Sequence, residues 1–168
     1  MLVLTIKQCV LMMKSKNFLI LFLTLYLFSF LSYAQSAAPI AESDKIVGVW
    51  EVGSGKARVK ISKYGEKYGG RIVWLRDPNY PDGTPKIDKN NPDEAKRKVP
   101  LLGFSNMVGF VYKGDGSYEE GTIYDPENGS TYFCVVKLKD DNTLDVRGYI
   151  GITLFGRTDT WKRVILKK

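Results

Sequence analysis

Two arginine-containing segments near the C-terminal end of the chain have the residue types and spacing to bind an anion. Arg147 and Tyr149 stand two apart in one segment. The next segment carries four side chains at the same spacing, Arg157, Asp159, Trp161 and Arg163. Residues i and i+2 of a strand project from one face, and arginine offers a forked donor to a carboxylate or phosphate. Facing a barrel lumen, these side chains would hold an anionic ligand. In the structural alternative, Arg147 faces solvent or caps the barrel end, because Leu144, Val146 and Ile150 lie on the opposite face, and it pairs with Asp145 or Asp159.

Aromatic side chains are a second resource for binding. An eight-stranded barrel is just wide enough to be filled by side chains or to hold one small ligand. Each aromatic residue taken alone has the alternative of an ordinary packed core, and only the set indicates a pocket. The predicted ligand-binding residues, polar and aromatic together, are Trp74, Phe110, Tyr124, Tyr132, Arg147, Tyr149, Arg157 and Trp161.

The chain contains no histidine. That composition excludes Ser-His-Asp and Cys-His nucleophiles and His-ligated metals. Glu119 and Glu120 are adjacent, so on a strand they face opposite ways and cannot act as a carboxylate pair. Cys134 lies on an apolar strand face and is predicted to be a buried, inert thiol. The acids between Asp77 and Glu94 lack EF-hand order and are interpreted as solvated loop residues and caps. We therefore expect no enzymatic activity, no metal and no cofactor.

The first 34 residues have the features of a secretory signal peptide. Lys14 and Lys16 precede an uncharged, mostly apolar stretch from Phe18 to Leu31, and a small-x-small site ends at Ala34. The stretch is shorter than the roughly 20 residues of a membrane-spanning helix, which favours cleavage over an uncleaved anchor. Met13 is the natural start of such a signal peptide, so residues 1–12 are interpreted as the result of a start codon assigned too early. We expect export to the periplasm or the exterior, a linker over 35–45, a domain over 46–168 and no stable membrane insertion of the mature protein.

Removal of residues 1–34 changes the charge and cysteine counts. The whole chain has 25 basic and 18 acidic residues, a net charge of +7. Residues 1–34 hold Lys7, Lys14, Lys16 and no acid, so 22 basic and 18 acidic residues remain, a net charge of +4. Cys9 is lost as well, which leaves Cys134 without an intramolecular disulfide partner. The remaining basic residues are interleaved with acids, so no nucleic-acid partner is expected.

Eight short segments rich in Val, Ile, Tyr, Phe and Thr are predicted strands. They are Val47–Val52, Ala57–Tyr64, Tyr68–Leu75, Met107–Lys113, Ser117–Asp125, Thr131–Lys139, Thr143–Ile150 and Arg157–Leu166. Clusters of Gly, Asn and Asp between them predict hairpins, and alternating apolar and charged residues predict one buried face. Closing such a sheet removes its exposed edges. The prediction is an all-β, eight-stranded antiparallel up-and-down barrel, with a two-sheet sandwich as the alternative.

One long connection, residues 76–105, separates the third and fourth predicted strands. Asn91 is predicted to cap a short helix, with Pro92 as its first residue and Glu94 as its capping-box partner. The helix is expected to end near Lys98, before Pro100. Connections longer than about 12–15 residues are often functional, so a lid over one barrel mouth is one interpretation. The other is a surface excursion packed by Leu101, Leu102 and Phe104.

Two patterns on these strands resemble known families. Gly48-Val49-Trp50 resembles the Gly-x-Trp signature of the lipocalins, in which the tryptophan closes one barrel end and stacks on a basic side chain from the last strand. This resemblance implies a closing role for Gly48 and Trp50, with Arg163 as the first candidate partner and Arg157 as the second. Longer strings resemble the DUF2147 family of small exported bacterial proteins with a calycin-like fold. They are Asp88-Lys89-Asn90-Asn91-Pro92-Asp93, Pro100-Leu101-Leu102-Gly103, Gly121-Thr122-Ile123-Tyr124-Asp125-Pro126, Val146-Arg147-Gly148-Tyr149-Ile150-Gly151 and Gly156-Arg157-Thr158 with Trp161.

The resemblance implies the fold and the export of the protein. It says little about its biochemical activity, because a fold does not fix a function. The expected function is binding of a small apolar or amphipathic molecule, with or without an anionic head, in the barrel lumen. The alternative is an envelope interaction module with a filled barrel and no small ligand. Such a module would use strand edges, the long connection or the basic cluster Lys96-Arg97-Lys98. The sequence does not indicate an oligomeric state.

Overall fold

The computed structural model describes residues 40–165, and the strands within them form one closed barrel. Every strand pairs antiparallel with the next, and the last returns to the first through Trp50 opposite Arg163. The strands are β1 (Gly48–Glu51), β2 (Ala57–Tyr64), β3 (Lys67–Leu75), β4 (Ser105–Gly114), β5 (Ser117–Asp125), β6 (Ser130–Asp140), β7 (Thr143–Tyr149) and β8 (Arg157–Arg163). The predicted eight-stranded antiparallel barrel is confirmed, and its closure rules out the two-sheet sandwich.

The inward and outward faces follow the alternation in the sequence. In β2, Val59 and Ile61 are buried while Lys60 between them is exposed. In β7, Leu144 and Val146 are buried on the same principle. Burial of these branched and aromatic side chains is the main favourable contribution to the stability of the barrel, at roughly 25 cal/mol per Å² of apolar surface.

The two ends of the barrel differ in the length of their connections. At one end, hairpins of two residues join β2 to β3, β4 to β5 and β6 to β7. Gly65, Asp115 and Gly116 adopt positive φ there, as tight hairpin turns require. At the other end the connections are residues 52–56, 76–104, 126–129 and 150–156. We call the first the closed end and the second the open end.

The helix predicted in the long connection is a single 3-10 turn, Glu94–Lys96, which corrects the expectation of a helix reaching Lys98. Asp93 caps it by accepting a hydrogen bond from the Ala95 amide at 3.1 Å. Asn91 does not cap it, because its side chain donates to Asp88 and accepts from the Asp93 amide. The chain then turns back, and the Asp88 amide donates to the Val99 carbonyl at 2.9 Å.

The other two helical elements within residues 40–165 are also 3-10 turns, Glu42–Asp44 and Thr153–Phe155. No helix in this part of the chain is long and apolar enough to span a membrane. The first turn packs on the closed end of the barrel, where the Tyr118 hydroxyl donates to the Ser43 carbonyl at 2.9 Å. The end of the predicted linker therefore belongs to the folded domain. The predicted signal peptide, residues 1–34, lies outside the described residues.

Candidate ligand-binding cavity

The closed half of the barrel is filled with side chains. Trp50, Phe110, Tyr118 and Leu144 are each almost fully buried there. The Tyr118 ring lies edge-on to Tyr68, with 5.3 Å between ring centroids. Phe110, which was predicted to contact a ligand, belongs to this packed cluster and does not border the cavity described below. That expectation is corrected, because the ring is buried among the core side chains and packs over Gly121.

Arg163 and Trp50 close this end together. The Arg163 guanidinium lies 4.1 Å from the centroid of the Trp50 ring and donates to the Val47 carbonyl at 2.9 Å. The Trp50 indole N–H donates to the Ile46 carbonyl at 2.8 Å. A Cβ on Gly48 would come within 2.4 Å of the guanidinium, so only glycine permits this approach. The structure thus brings Gly48, Trp50 and Arg163 together, while Arg157 lies at the other end of β8. Burial lowers the pKa of Arg163, but the group stays charged at neutral pH.

The open half of the barrel holds a cavity of about 1040 Å³ that opens to solvent. Its inner wall is apolar and is made by Val59, Ile72, Ile123, Val146 and Trp161. Charged side chains ring the mouth, including Lys56, Lys86, Lys89, Asp125 and Glu127. Lys56 and Glu127 form an ion pair of 2.8 Å. The cavity is therefore apolar inside and polar at its entrance, as ligand pockets commonly are.

The inward face of β8 supplies both polar and aromatic groups to the cavity. Arg157, Asp159 and Trp161 line it in succession. The Asp159 carboxylate accepts hydrogen bonds from the Trp161 indole N–H at 2.8 Å and from the Gly53 amide at 3.2 Å. The Arg157 guanidinium has no hydrogen bond or ion pair with another residue of 40–165. Within residues 40–165, the predicted constellation therefore contributes to the cavity one cation without a protein partner.

Arg147 lies on the outer face of the barrel, which corrects its predicted place in the lumen. The inward residues of β7 are Leu144, Val146 and Gly148, so Arg147 faces outward by alternation. Its guanidinium donates to the Thr153 carbonyl at 2.9 Å, to the Leu154 carbonyl at 3.1 Å and to the Thr158 hydroxyl at 2.9 Å. The outward direction agrees with the structural alternative, whereas the predicted pair with Asp145 or Asp159 is not formed.

Two more predicted contacts have mixed outcomes. Tyr149 borders the mouth of the cavity, and its ring centroid lies 5.9 Å from that of Phe133. Trp74 does not border the cavity. Its ring lies beneath the Arg58 guanidinium, 4.4 Å from the centroid, on the outward side of β2 and β3. A register shift between Arg58 and Val59 moves Trp74 out of the inward pattern, so its predicted ligand contact is corrected.

Tyr124 and Tyr132 border the cavity near the long connection. The Tyr132 hydroxyl accepts a hydrogen bond from the Asn128 side chain at 2.9 Å. The Tyr124 hydroxyl donates to Asp88 at 2.7 Å. Burial and the hydrogen bond to Asp88 raise the pKa of Tyr124 to about 12. Both tyrosine hydroxyls are thus already engaged by protein groups.

Asp88 and Asn106 are two buried polar residues that sequence reasoning missed. Asp88 is 0% exposed and also accepts a hydrogen bond from the Asn91 amide group at 2.6 Å. Its interpretation as a solvated loop residue is therefore wrong. The motif Asp88-Lys89-Asn90-Asn91 was the available signal, but it did not indicate burial. Asn106 is 8% exposed, lines the cavity and has an Oδ1 atom without a hydrogen-bond partner.

The long connection forms part of the cavity wall. Its lining residues are Asp77, Tyr80, Lys86, Ile87, Lys89, Asn90 and Leu101. The Asn90 side chain donates to the carbonyls of Pro126 at 3.0 Å and Glu127 at 2.8 Å, which fixes the connection to the β5–β6 turn. A Cβ on Gly129 would lie 2.0 Å from the Asn90 carbonyl oxygen, so this contact requires glycine. Both interpretations of the connection hold in part, because it packs on the barrel and also borders its mouth.

The remaining chemical candidate is Cys134. Its side chain is almost fully buried, and burial raises the pKa of the thiol to about 12. A thiol with such a pKa is protonated at neutral pH and is a poor nucleophile. No group of three or more potential metal-ligating residues occurs among residues 40–165.

Comparison with known proteins agrees with this architecture. Among solved structures, the chain is similar to protein HP1028 from the human pathogen Helicobacter pylori, which is described as belonging to the lipocalin family. The TM-score is 0.62 at 23% identity, over 71% of this chain and 82% of that one, and this likeness shows the fold. No curated protein matches the chain significantly. The family model for an uncharacterized protein conserved in bacteria, DUF2147, matches residues 48–163, and the chain therefore belongs to the DUF2147 family.

Proposed function

We propose that this protein is exported and binds a small apolar or amphipathic molecule in its barrel lumen, without catalysis. The observation that carries the proposal is the cavity of about 1040 Å³ with an apolar inner wall and a polar mouth. Pockets for small ligands usually measure about 300–1,000 Å³. The volume therefore suits a molecule of lipid or drug size.

The distribution of charge supports an amphipathic ligand. The inner wall offers apolar side chains to the body of the ligand, while Arg157 at the mouth has no partner among the described residues. An arginine can bind a carboxylate or phosphate with two parallel hydrogen bonds. A ligand with an anionic head would place that head at Arg157 and its apolar body deeper in the barrel.

The alternative function, an interaction module with a filled barrel, has less support. That alternative assumes a barrel interior filled with side chains, whereas only the closed half of this barrel is filled. Its basic cluster is partly neutralised, because Lys96 pairs with Asp93 at 3.0 Å and Arg97 pairs with Glu94 at 2.9 Å. Exposed pairs of this kind leave little net charge for an anionic polymer.

Native mass spectrometry of protein purified from its own host tests the binding proposal. A ligand-sized adduct is expected on the wild type and is expected to be lost in Gly148→Leu. A Cβ at Gly148 would meet Tyr132 and Ile123 at 3.5 and 3.7 Å, so a leucine enters the cavity without a backbone clash. Val108→Leu, on the exposed side of β4, is the matched control and should keep the adduct. An adduct that persists in Gly148→Leu, or none under several extraction conditions, would contradict the proposal.

Export is tested separately by the intact mass and location of the same protein. Cleavage after Ala34 predicts a polypeptide that lacks residues 1–34 and is recovered from the periplasmic or culture fraction. A full-length mass in the cytosolic fraction would overturn this part of the proposal.

A further inference from the structure

Asn106 is an unusual residue in the wall of the cavity. Its side chain is more than nine-tenths buried, and its Oδ1 has no hydrogen-bond donor within reach. Its carboxamide donates no hydrogen bond to another residue of 40–165 either. Buried amides in proteins almost always have partners. Asn106 is therefore a cavity-lining residue whose carboxamide makes no hydrogen bond to the protein residues of 40–165.

An irregularity of β4 places Asn106 on the inside. Gly70 pairs with Met107 and Arg71 with Ser105, so one step along β3 corresponds to two residues of β4. Asn106 is the extra residue, and such a bulge redirects a side chain at the end of a strand. Its neighbour Met107 pairs with Ile123 of the cavity wall.

Three other polar side chains that line the cavity already have hydrogen bonds to protein groups. Tyr124 follows Ile123 in β5 and donates its hydroxyl proton to Asp88. Tyr132, which pairs with Ile123 across the sheet, accepts from Asn128. Asp159 of β8 accepts hydrogen bonds from the Gly53 amide and the Trp161 indole N–H. Asn106 thus keeps both amide donor and acceptor capacity for a ligand, whereas Tyr132 keeps only its hydroxyl proton.

The surroundings favour an uncharged partner for Asn106. Asp88 is a buried acidic residue bonded to Tyr124, which follows Ile123 of the cavity wall, and a buried carboxylate disfavours a second anion beside it. A carboxamide presents both a donor and an acceptor. We propose that the cavity prefers ligands whose apolar body carries an uncharged donor-acceptor group, a carboxamide or a hydroxyl, that hydrogen-bonds to the Asn106 side chain. This inference rests on the proposed function and specifies the ligand class.

Calorimetric titration of the folded protein with two matched probes tests this preference. Decanamide carries a donor and an acceptor on a ten-carbon chain, while methyl decanoate lacks the donor. Decanamide is expected to bind the wild type about tenfold more tightly, the usual size of one buried hydrogen bond. Asn106→Leu should bring the two affinities within about twofold, since neither ligand then finds a polar partner. Asn142→Leu, at an exposed turn of the closed end, is the control and should keep the tenfold ratio.

The outcomes separate the inference from the proposed function. Equal affinities for both probes in the wild type would overturn the inference and leave lumen binding intact. Binding of neither probe would overturn the inference, and failure of decanoate to bind as well would overturn the proposed function. Should Asn106→Leu fail to fold, the wild-type Asn106 side-chain amide resonances provide the second measurement. They should shift on saturation with decanamide more than with methyl decanoate, and equal shifts would overturn the preference.

Discussion

At the scale of single side chains, two buried polar residues differ in role, since one stabilises the fold and the other is available to a ligand. Asp88 is fully buried but receives hydrogen bonds from Tyr124 and Asn91, so its burial is compensated. Asn106 is buried without such compensation. The first arrangement fixes the long connection to the barrel, whereas the second lowers stability for no structural gain. An uncompensated group in a cavity wall is typical of a binding site.

Replacement of Asn106 by leucine should therefore stabilise the protein. An unsatisfied buried amide costs about 1–3 kcal/mol, and leucine removes that cost at similar volume. We expect Asn106→Leu to raise the free energy of unfolding by about 1 kcal/mol in urea denaturation. Asn142→Leu, at an exposed position, should change it by less than about 0.5 kcal/mol. A loss of stability in Asn106→Leu would mean that the amide has a structural role.

The Tyr124–Asp88 hydrogen bond should affect stability in a pH-dependent way. Tyr124→Phe leaves one oxygen of a buried carboxylate without its donor, which costs about 1–3 kcal/mol. The pKa of Tyr124 is about 12 in the folded protein, above the ordinary value of 10.0. The contribution of the neutral hydroxyl is therefore complete below pH 10 and declines as the pH rises toward 12.

Urea denaturation at neutral pH and near pH 11 measures this effect. Wild type should lose more stability than Tyr124→Phe over that interval. Tyr64→Phe, whose ring is mostly exposed, is the control and should follow the wild type. Identical alkaline losses in wild type and Tyr124→Phe would contradict the assignment.

At the scale of elements, Arg147 stabilises the β7–β8 connection through side-chain hydrogen bonds. Two of its hydrogen bonds go to carbonyls of the 3-10 turn Thr153–Phe155 and the third goes to Thr158 of β8, which holds the turn beside the cavity mouth. Arg147→Ala should accelerate hydrogen exchange at the Phe155 and Gly156 amides, which donate within this turn. Arg71→Ala, at an exposed position of β3, should leave those amides unchanged. Unaltered exchange in Arg147→Ala would show that the turn is held by other contacts.

The strands were predictable from the sequence because hydrophobic alternation and turn residues report local geometry. The side-chain directions failed at particular places for physical reasons. Trp74 and Asn106 lie beside register shifts, which reverse the alternation that a sequence can reveal. Asp88 is buried only because the long connection folds back onto β5, a tertiary contact without a local signal. The i and i+2 spacing of Arg147 and Tyr149 does not identify the inward face, whereas the apolar residues Leu144 and Val146 on the opposite face do indicate it.

At the scale of the whole molecule, short hairpins and long connections divide the barrel into a packed closed half and a hollow open half. β8 extends through both and carries an arginine at each end. Arg163 stacks on Trp50 and donates to backbone carbonyls, so it belongs to the packed half. Arg157 lines the cavity without a partner in the described residues. The same residue type on one strand should therefore contribute to stability at one end and to binding at the other.

Substitution of each arginine by methionine tests this division. Arg163→Met removes a charged donor from several carbonyls and should lower the free energy of unfolding by about 2–3 kcal/mol, measured by thermal unfolding. It should leave the affinity for decanoate, an anionic probe, within about twofold of wild type, because the cavity is unaltered.

Arg157→Met should have the opposite effects. The unfolding temperature should barely change, since no hydrogen bond is lost, while decanoate should bind about tenfold more weakly and methyl decanoate equally well. Loss of decanoate binding in Arg163→Met with an unchanged Arg157→Met would place the anion at the closed end and overturn the division.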